Sequence, residues 1–227
     1  MKNPHRIVRV FDKAATTYED WYSKPMGIYA FFSELNGLES LLPPSGLGID
    51  IGAGTGIFAK HLSSEERTIV CLDPSSKMLK KAVEKHLMAI LATAEDIPFR
   101  SKCFDFLYMV TVLEFLPDPS KALYSIGSIL KHEAPIIIVF INRESSWGEL
   151  YSKLAKHGDS IFSCARFYTI KDIRFFLEKT DYESIEMIGT LSSPPNEPST
   201  EIILSQASSR TGVILIKAKK CKKADKD

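Results

Sequence analysis

The stretch GLGIDIGAGTGIFAKHL constrains the fold of this chain more than any other. Its apolar first part has the length of a β-strand, and Gly52, Gly54 and Gly56 then alternate with small residues ahead of a helix-like pattern. Glycine adopts positive φ angles readily, and it carries no Cβ atom that would block a ligand lying on the backbone. We therefore predict a strand, a tight turn against a bound ligand and a helix, in that order.

Four further apolar runs of strand length follow, separated by helix-like segments. The runs are near-continuous rather than alternating, which indicates strands buried on both faces, as in a parallel sheet covered by helices. Alternation of strands and helices in this way is typical of a doubly wound α/β fold. The predicted strands are residues 47–51, 68–73, 87–92, 104–110 and 135–141, and the helices between them are residues 58–62, 76–85 and 119–130.

Beyond the fifth strand, the pattern predicts two more helices and two more strands. The first helix covers residues 145–158, and Thr169 with Asp172 has the spacing of a capping box at the start of the second. Strands at residues 182–189 and 212–219 flank a loop rich in proline and serine. The expected fold is a Rossmann-like α/β sheet of seven strands, mostly parallel with an antiparallel last strand, with helices on both faces.

Three parts of the chain are distinguished by this prediction. Residues 1–40 are expected to form a helical lid, residues 41–218 the main α/β domain, and residues 219–227 a charged tail without fixed structure. Residues 18–29 carry four aromatic side chains ahead of the first strand. This stretch is either a flap over the ligand or a helix packed permanently on the sheet.

Composition narrows the classes of function. The formal net charge is +1, so we expect no nucleic-acid partner, since proteins that neutralise many phosphates carry a basic excess. No window approaches the ~20 apolar residues of a membrane span, and the charged first residues lack the core of a signal peptide, which predicts a cytoplasmic protein. Four cysteines without a CxxC pair favour buried thiols over a metal site, although a bound metalloid stays open.

The glycine turn departs from the commonest nucleotide-binding loops. A dinucleotide fingerprint requires glycine at position 57, where Ile57 stands, and no Gly-Lys-Ser/Thr sequence of a P-loop follows. Asp50, just ahead of the glycines, would repel a pyrophosphate because both are negatively charged. It suits a ligand that carries an ammonium group.

The order of motifs resembles that of class I S-adenosylmethionine-dependent methyltransferases, in the small-molecule branch (methyltransferase type 11, ubiquinone-biosynthesis-like). IDIGAGTG is similar to their glycine motif, VCLDPSSKMLKKA to their second-strand motif, and ATAEDIPFRSKCFDFLYMVTVLEFLPDPSKAL to the two motifs that follow. FDKAATTYEDWY resembles the lid segment of this branch, and FYTIKDIRFFLEKTDYESIEMI its penultimate helix and strand. The resemblance implies S-adenosylmethionine as cofactor and S-adenosylhomocysteine as product.

This resemblance also implies a set of cofactor-binding residues. The glycines admit the methionyl part, whose carboxylate is favoured by the free N–H groups of the next helix. Asp50 orients the amino group, and Asp73 accepts hydrogen bonds from the ribose hydroxyls. The complete predicted set is Tyr18, Asp50, Gly52, Ala53, Gly54, Thr55, Gly56, Asp73, Pro74, Met78, Ala94, Glu95, Met109 and Val110.

Structural alternatives stay open for several of these residues. They are helix capping for Asp73, core packing for Met78 and a solvated loop position for Glu95. Two positions depart from the family pattern. Thr93 stands where relatives often carry an aspartate that binds adenine, and Glu114 stands near a position where many carry a histidine.

The resemblance implies methyl transfer. We expect a small-molecule acceptor, because no motif for holding a flipped nucleobase occurs and no nucleophilic cysteine motif follows the fourth strand. No catalytic residue is assigned, no metal is expected, and the oligomeric state is not determined by the sequence. The alternatives are a non-catalytic module that binds the cofactor or its product and, with less support, a nucleotide-cofactor oxidoreductase. Candidates for the acceptor pocket are Tyr18, Trp21, Tyr22, Glu114, Arg143, Glu144, Trp147, Arg166 and Tyr168.

Overall fold

The computed structural model of the chain describes residues 4–197, 199 and 201–221. Within these residues eight strands form one sheet in the order β3-β2-β1-β4-β5-β8-β6-β7. The strands are β1 (Gly46–Ile51), β2 (Arg67–Asp73), β3 (Met88–Leu91), β4 (Phe106–Val110), β5 (Ile136–Ile141), β6 (Tyr182–Thr190), β7 (Ser205–Gln206) and β8 (Val213–Lys220).

Seven α-helices accompany the sheet in the described part of the chain. They are α1 (Pro4–Ala14), α2 (Pro25–Leu41), α3 (Ile57–Leu62), α4 (Ser76–Glu84), α5 (Pro119–Ile129), α6 (Ser146–Lys156) and α7 (Ile170–Lys179). Short 3-10 helices lie at Tyr18–Ser23, Leu113–Phe115 and Phe162–Cys164. The capping box predicted at the start of α7 is present, because Thr169 and Asp172 each accept a hydrogen bond from the other's backbone N–H.

The predicted Rossmann-like architecture is confirmed, with one strand more than expected. Strands β1 to β5 pair in parallel, and β8 lies antiparallel between β5 and β6. The additional strand, β7, pairs with β6 over two residues inside the loop predicted to be irregular. Two residues are too few to show a hydrophobic period, so this strand depends on its partner rather than on its own sequence.

A hydrophobic core lies on each face of the sheet. Because side chains alternate along a strand, Leu107 and Met109 of β4 face the core shared with α5 and α7, whereas Phe106 and Tyr108 face the core shared with α2, α3 and α6. The parallel strands are thus covered on both sides, as their near-continuous apolar runs predicted.

The predicted boundaries change at both ends of the chain. Helix α2 buries Tyr29, Phe31, Leu38 and Leu41 in a core of the sheet, so the last part of the expected lid segment packs on the main domain. The flap and fixed-helix alternatives for residues 18–29 stay predictions. At the other end β8 continues to Lys220, which pairs with β6, so the first residues of the expected tail belong to the sheet. Residues 222–227 of that tail lie outside the described residues.

A membrane-crossing helix is not found in the described ranges, since none of the helices there is both long and apolar enough.

Candidate cofactor and acceptor site

A cavity of about 710 Å³ lies at the carboxyl edge of the parallel strands. Ile51, Asp73, Val110 and Ile141, the last residues of β1, β2, β4 and β5, all line it. Doubly wound sheets bind their ligands in the crevice at this edge, where neighbouring loops diverge. The topology therefore brings the glycine turn and the carboxyl ends of the neighbouring strands into one site.

Gly54 leaves an open space on the cavity side of the glycine turn. Its φ is +55°, and an added Cβ atom would meet no described heavy atom within 4 Å. Gly56 is different, since a Cβ atom there would lie 2.5 Å from Cδ1 of Leu87 and 3.0 Å from Cβ of Ala82. Gly56 thus allows the turn to pack closely against α4, whereas the backbone of Gly54 is accessible from the cavity.

Asp73 holds the glycine turn and the start of α4 together. Its Oδ2 accepts a hydrogen bond of 2.9 Å from the N–H of Gly54, and its Oδ1 accepts one of 2.7 Å from the N–H of Ser75. Ser75, rather than Asp73, caps α4, because its Oγ accepts from the N–H of Met78. The capping alternative for Asp73 is therefore wrong, and its remaining lone pairs are available to a ligand.

Burial raises the pKa of Asp73 to about 6, although the bonds from Ser75 and Gly54 oppose this shift.

Most of the predicted cofactor residues line this one cavity: Tyr18, Gly52, Gly54, Asp73, Pro74, Met78, Ala94, Glu95 and Val110. Glu95 is not a fully solvated loop residue. Its Oε1 atom is buried and has no hydrogen-bond partner among the described residues. A buried carboxylate oxygen without a partner costs free energy, so this atom is an acceptor available to a ligand. Met78 is almost fully buried and lines the cavity too, so it combines packing with a ligand-facing position.

The other predicted residues do not line the cavity. Asp50 is 3% exposed and lies beside Tyr108 under the turn, where burial raises its pKa well above the ordinary value. Met109 faces the core of α5 and α7, because adjacent residues of β4 point to opposite faces. Three residues of the glycine turn, Ala53, Thr55 and Gly56, do not line the cavity either. Thr55 is buried, and Gly56 packs against Leu87 and Ala82.

Aromatic side chains form a second part of the cavity wall, here called the aromatic wall. Trp21 and Tyr22 have ring centroids 5.0 Å apart, and Tyr151 of α6 lies 4.4 Å from Phe162. The aromatic wall consists of Tyr18, Trp21, Tyr22, Tyr151, Phe162 and Phe167. The sequence identified the first three as acceptor-pocket candidates, and all three lie in this wall of the cavity.

The remaining acceptor-pocket candidates lie elsewhere. Trp147 is a core residue whose Nε1 donates to the carbonyl of Ser193. Arg143, Arg166 and Tyr168 line a separate shallow groove at the start of α7. Glu114 is buried beneath the cavity, where its Oε1 accepts a hydrogen bond of 2.8 Å from the N–H of Ile141. Glu144 does not line the cavity either.

Glu34 of α2 lines the cavity and was missed by the sequence analysis. It is 7% exposed, and burial together with the nearby charge of Glu114 raises its pKa to about 8. Its position follows Phe31 by three residues and precedes Leu38 by four, which puts it on the apolar face of the helix. A carboxylate on an apolar stripe is the signal that could have identified it.

Residues 4–23, here called the N-terminal cover, form one side of the cavity. Three hydrogen bonds attach the cover to the two ends of α4. At the N-terminal end, Asp12 Oδ1 accepts one of 2.6 Å from the Ser75 hydroxyl and one of 3.3 Å from the N–H of Lys77. At the C-terminal end, Lys85 donates one of 2.7 Å to Glu19. The cover, unlike α2, contributes few residues to the cores of the sheet.

The cysteines offer no metal site in the described ranges. Cys71 and Cys164 are buried free thiols, Cys103 is half-buried and Cys221 is exposed. Within the described part of the chain, no group of three or more His, Cys, Asp or Glu residues is arranged to hold a metal ion.

Comparison with known proteins agrees with this geometry. The methyltransferase domain family matches residues 49–138, which run from within β1 to within β5 and include the glycine turn. An uncharacterised protein of Methanocaldococcus jannaschii is 33% identical over 184 residues, covering 81% of this chain and 86% of that protein. The chain belongs to the class I S-adenosylmethionine-dependent methyltransferases.

Other relatives of this methyltransferase share most of its length. A solved structure from Thermotoga maritima, described as an S-adenosylmethionine-dependent methyltransferase and possible histamine N-methyltransferase, has a TM-score of 0.86 and 29% identity. The match covers 95% of this methyltransferase and all of that chain. An uncharacterised protein of Mycobacterium tuberculosis is 30% identical over 80% of this methyltransferase, which spans 62% of that longer protein.

Proposed function

We propose that the chain binds S-adenosylmethionine at the glycine turn and transfers its methyl group to a small-molecule acceptor held in the same cavity. The observation that carries this proposal is the continuity of the site. Gly54 and Asp73 line the same cavity as the aromatic wall, so a cofactor and an acceptor can meet without crossing protein. The described cover encloses the site on one side, which favours a small acceptor over a polymer.

The residues of the cavity fit the cofactor. Gly54 offers open space for the methionyl part, Asp73 keeps lone pairs for the ribose hydroxyls, and Glu95 has an unpartnered buried oxygen that can accept from adenine. Tyr18 lines the same cavity as Asp73, which supports a contact between its ring and the same ligand. The bound cofactor supplies an electrophilic methyl group on a sulfonium centre.

The protein side of the reaction is chiefly positioning. The aromatic wall and the cover exclude water, and they hold the acceptor atom in line with the methyl group. A proton acceptor is needed only where the acceptor atom must lose a proton.

Ligand-induced stabilisation tests the cofactor assignment. S-adenosylhomocysteine should raise the melting temperature of the full chain, because a ligand selective for the folded state stabilises it. NADH at the same concentration should not. Stabilisation by NADH alone would favour the oxidoreductase alternative.

Turnover separates an enzyme from a non-catalytic binding module. The protein is incubated with methyl-labelled cofactor and a metabolite extract, with histamine included because the Thermotoga relative is described as a possible histamine N-methyltransferase. Mass spectrometry then identifies the labelled product. Binding without any labelled product would support the non-catalytic alternative.

A cytoplasmic location is part of the same proposal. Free cysteines, one of them exposed, fit a reducing compartment, where disulfides rarely persist.

A further inference from the structure

Glu34 is a buried carboxyl group that faces the cavity without a protein partner. It lies on the buried side of α2 and lines the cavity. No hydrogen bond or ion pair reaches its carboxyl group from the residues that the structure describes. Buried carboxyl groups are ordinarily paired, because an unpaired one loses the free energy of hydration without compensation. Glu34 is therefore available to a ligand inside the cavity.

Aromatic rings line the same cavity as this carboxyl group. Tyr18, Tyr22 and Tyr151 lie in the cavity wall with Glu34. Burial raises the pKa of each of these tyrosines, and the negative charge of Glu34 adds to each shift. Aromatic faces attract organic cations through their quadrupole, and the attraction is strongest where water is excluded. An acidic group among aromatic rings is the environment that recognises an alkylammonium ion.

The charged residues of the cavity wall also favour a cationic ligand. Among its described lining residues, Lys121 is the one cation, and the acidic residues are Glu34, Asp73, Glu95, Asp118 and Asp159. Three of these also have structural roles. Asp73 accepts from the N–H groups of Gly54 and Ser75. Asp118 caps α5 by accepting from the N–H of Lys121, and Asp159 accepts from two N–H groups of the chain that follows it. An anionic acceptor would be repelled from this wall, whereas a cationic acceptor is attracted.

We infer that the methyl acceptor is a primary or secondary amine with an apolar body, which Glu34 binds as the ammonium ion and then deprotonates for transfer. The inference rests on the proposed function and names the acceptor class for that same cavity. Tyr18, Trp21 and Tyr22 would contact the apolar body and the cationic head.

The proton and bond changes balance as follows. The Glu34 carboxylate takes one proton from the ammonium ion, which frees the nitrogen lone pair. The N–CH₃ bond forms as the S–CH₃ bond breaks, so the positive charge passes from the sulfonium to the methylated ammonium product. Glu34 returns its proton to solvent when the product leaves, and no oxidant or metal is required.

The titration of Glu34 suits this role. In the empty cavity its pKa is about 8, so it is largely protonated at pH 7, and a general base works best with a pKa near the operating pH. The titratable groups that face it are Glu114, Tyr18, Tyr22 and Tyr151. A bound ammonium ion favours the carboxylate, so binding at pH 7 should release about one proton from Glu34.

Calorimetry with paired probes tests the inference in the full chain saturated with S-adenosylhomocysteine. The probes are 2-phenylethylamine with 2-phenylethanol, and cyclohexylmethylamine with cyclohexylmethanol. At least one amine should bind about tenfold more tightly than its alcohol. Glu34→Gln should reduce the affinity for that amine to the level of the alcohol. The substitution should also abolish the proton release on amine binding, which is measured by titrations in two buffers of different ionisation enthalpy.

Glu39→Gln is the control, since it makes the same change on the same helix at an exposed carboxyl that does not line the cavity. It should keep the preference for the amine. Affinity for S-adenosylhomocysteine should stay within about twofold in both variants, which also shows that they fold. Glu34→Asp, which keeps the charge, should retain part of the preference.

Three results would overturn the inference. They are no preference for either amine in the wild type, an unchanged preference in Glu34→Gln, or a labelled product methylated on oxygen or carbon. None of these removes binding of S-adenosylhomocysteine. Loss of that binding in the wild-type protein would instead contradict the proposed function itself.

Discussion

The backbone N–H of Gly54 donates a hydrogen bond of 2.9 Å to Oδ2 of Asp73. This bond joins the turn after β1 to the last residue of β2, the neighbouring strand in the sheet. The carboxylate that is expected to bind the ribose thus also fixes the turn that is expected to receive the methionyl group. Binding of the two halves of the cofactor should therefore be coupled.

Gly54→Ala should abolish or strongly weaken the binding of S-adenosylhomocysteine, because its methyl group would occupy the open side of the turn. Gly158→Ala is the matched control, since Gly158 also has a positive φ and open space but does not line the cavity. Both variants should lose roughly 1–2 kcal/mol of folding stability through left-handed backbone strain. Equal affinities of the two variants for S-adenosylhomocysteine, measured by calorimetry, would contradict a ligand at Gly54.

Asp73→Asn should lower the affinity for S-adenosylhomocysteine by on the order of 30- to 1000-fold, as expected for the loss of two charge-assisted hydrogen bonds to the ribose. The amide also places an NH₂ group opposite one of the two backbone N–H groups that Asp73 now accepts from. We therefore expect a fall in melting temperature of a few degrees as well.

A deoxy ligand separates the ribose contact from the effect on the turn. The wild type should bind S-adenosylhomocysteine much more tightly than its 2′-deoxy analogue, and Asp73→Asn should discriminate little between them. Equal discrimination by both proteins would remove Asp73 from ribose recognition, whatever happens to stability.

Glu34→Gln should stabilise the empty protein at high pH. The pKa of Glu34 is about 8 in the folded state, against an ordinary value of 4.5, so the folded state binds more protons than the unfolded state between these values. The contribution of Glu34 to the free energy of unfolding therefore falls as the pH rises from 4.5 to about 8. The variant should gain on the order of 3–5 kcal/mol relative to wild type above pH 8, and little near pH 4.5.

Denaturant unfolding at pH 5 and pH 8.5 measures this effect. Glu39→Gln on the same helix is the control, because Glu39 is 55% exposed and does not line the cavity. That variant should show no gain at high pH. A stability difference between wild type and Glu34→Gln that is the same at both pH values would show that Glu34 ionises normally.

The N-terminal cover should close on the bound ligand while α2 stays fixed. Hydrogen exchange should slow in residues 4–23 when S-adenosylhomocysteine binds, because these residues line the cavity and contribute few residues to the cores. Amides of α2 should be equally protected in both states, since this helix is buried against the sheet. Equal protection of the cover in both states would make it a permanent wall.

Asp12→Ala tests which contact holds the cover, because it removes the acceptor for the Ser75 hydroxyl. The dissociation rate of S-adenosylhomocysteine should rise by about tenfold in a stopped-flow chase experiment. Asp20→Ala, an exposed position on the same segment, should leave the rate unchanged. Equal rates in the two variants would show that the contact with Ser75 does not control closure.

The sequence alone determined the class of fold, the glycine turn and the approximate positions of seven strands. These features depend on local properties, namely the period of apolar residues, the alternation of glycines and the capping box at Thr169. Local signals also identified Asp73 and Tyr18, since the end of a parallel strand and an aromatic segment ahead of the sheet can be recognised without knowing their neighbours.

Tertiary structure alone decided which of these residues face one cavity. Asp50 and Asp73 are both acidic residues near the carboxyl end of a strand, yet Asp73 is the last residue of β2 and lines the cavity, whereas Asp50 lies beneath the turn beside Tyr108. Glu34 is separated by many residues from every strand end, and its burial exists only because α2 packs on the sheet next to the aromatic wall. A carboxylate on an apolar stripe marks Glu34 as unusual, but its burial and the field of surrounding charges are set by residues distant in the chain, so only the tertiary structure assigns the Glu34 carboxyl to the site.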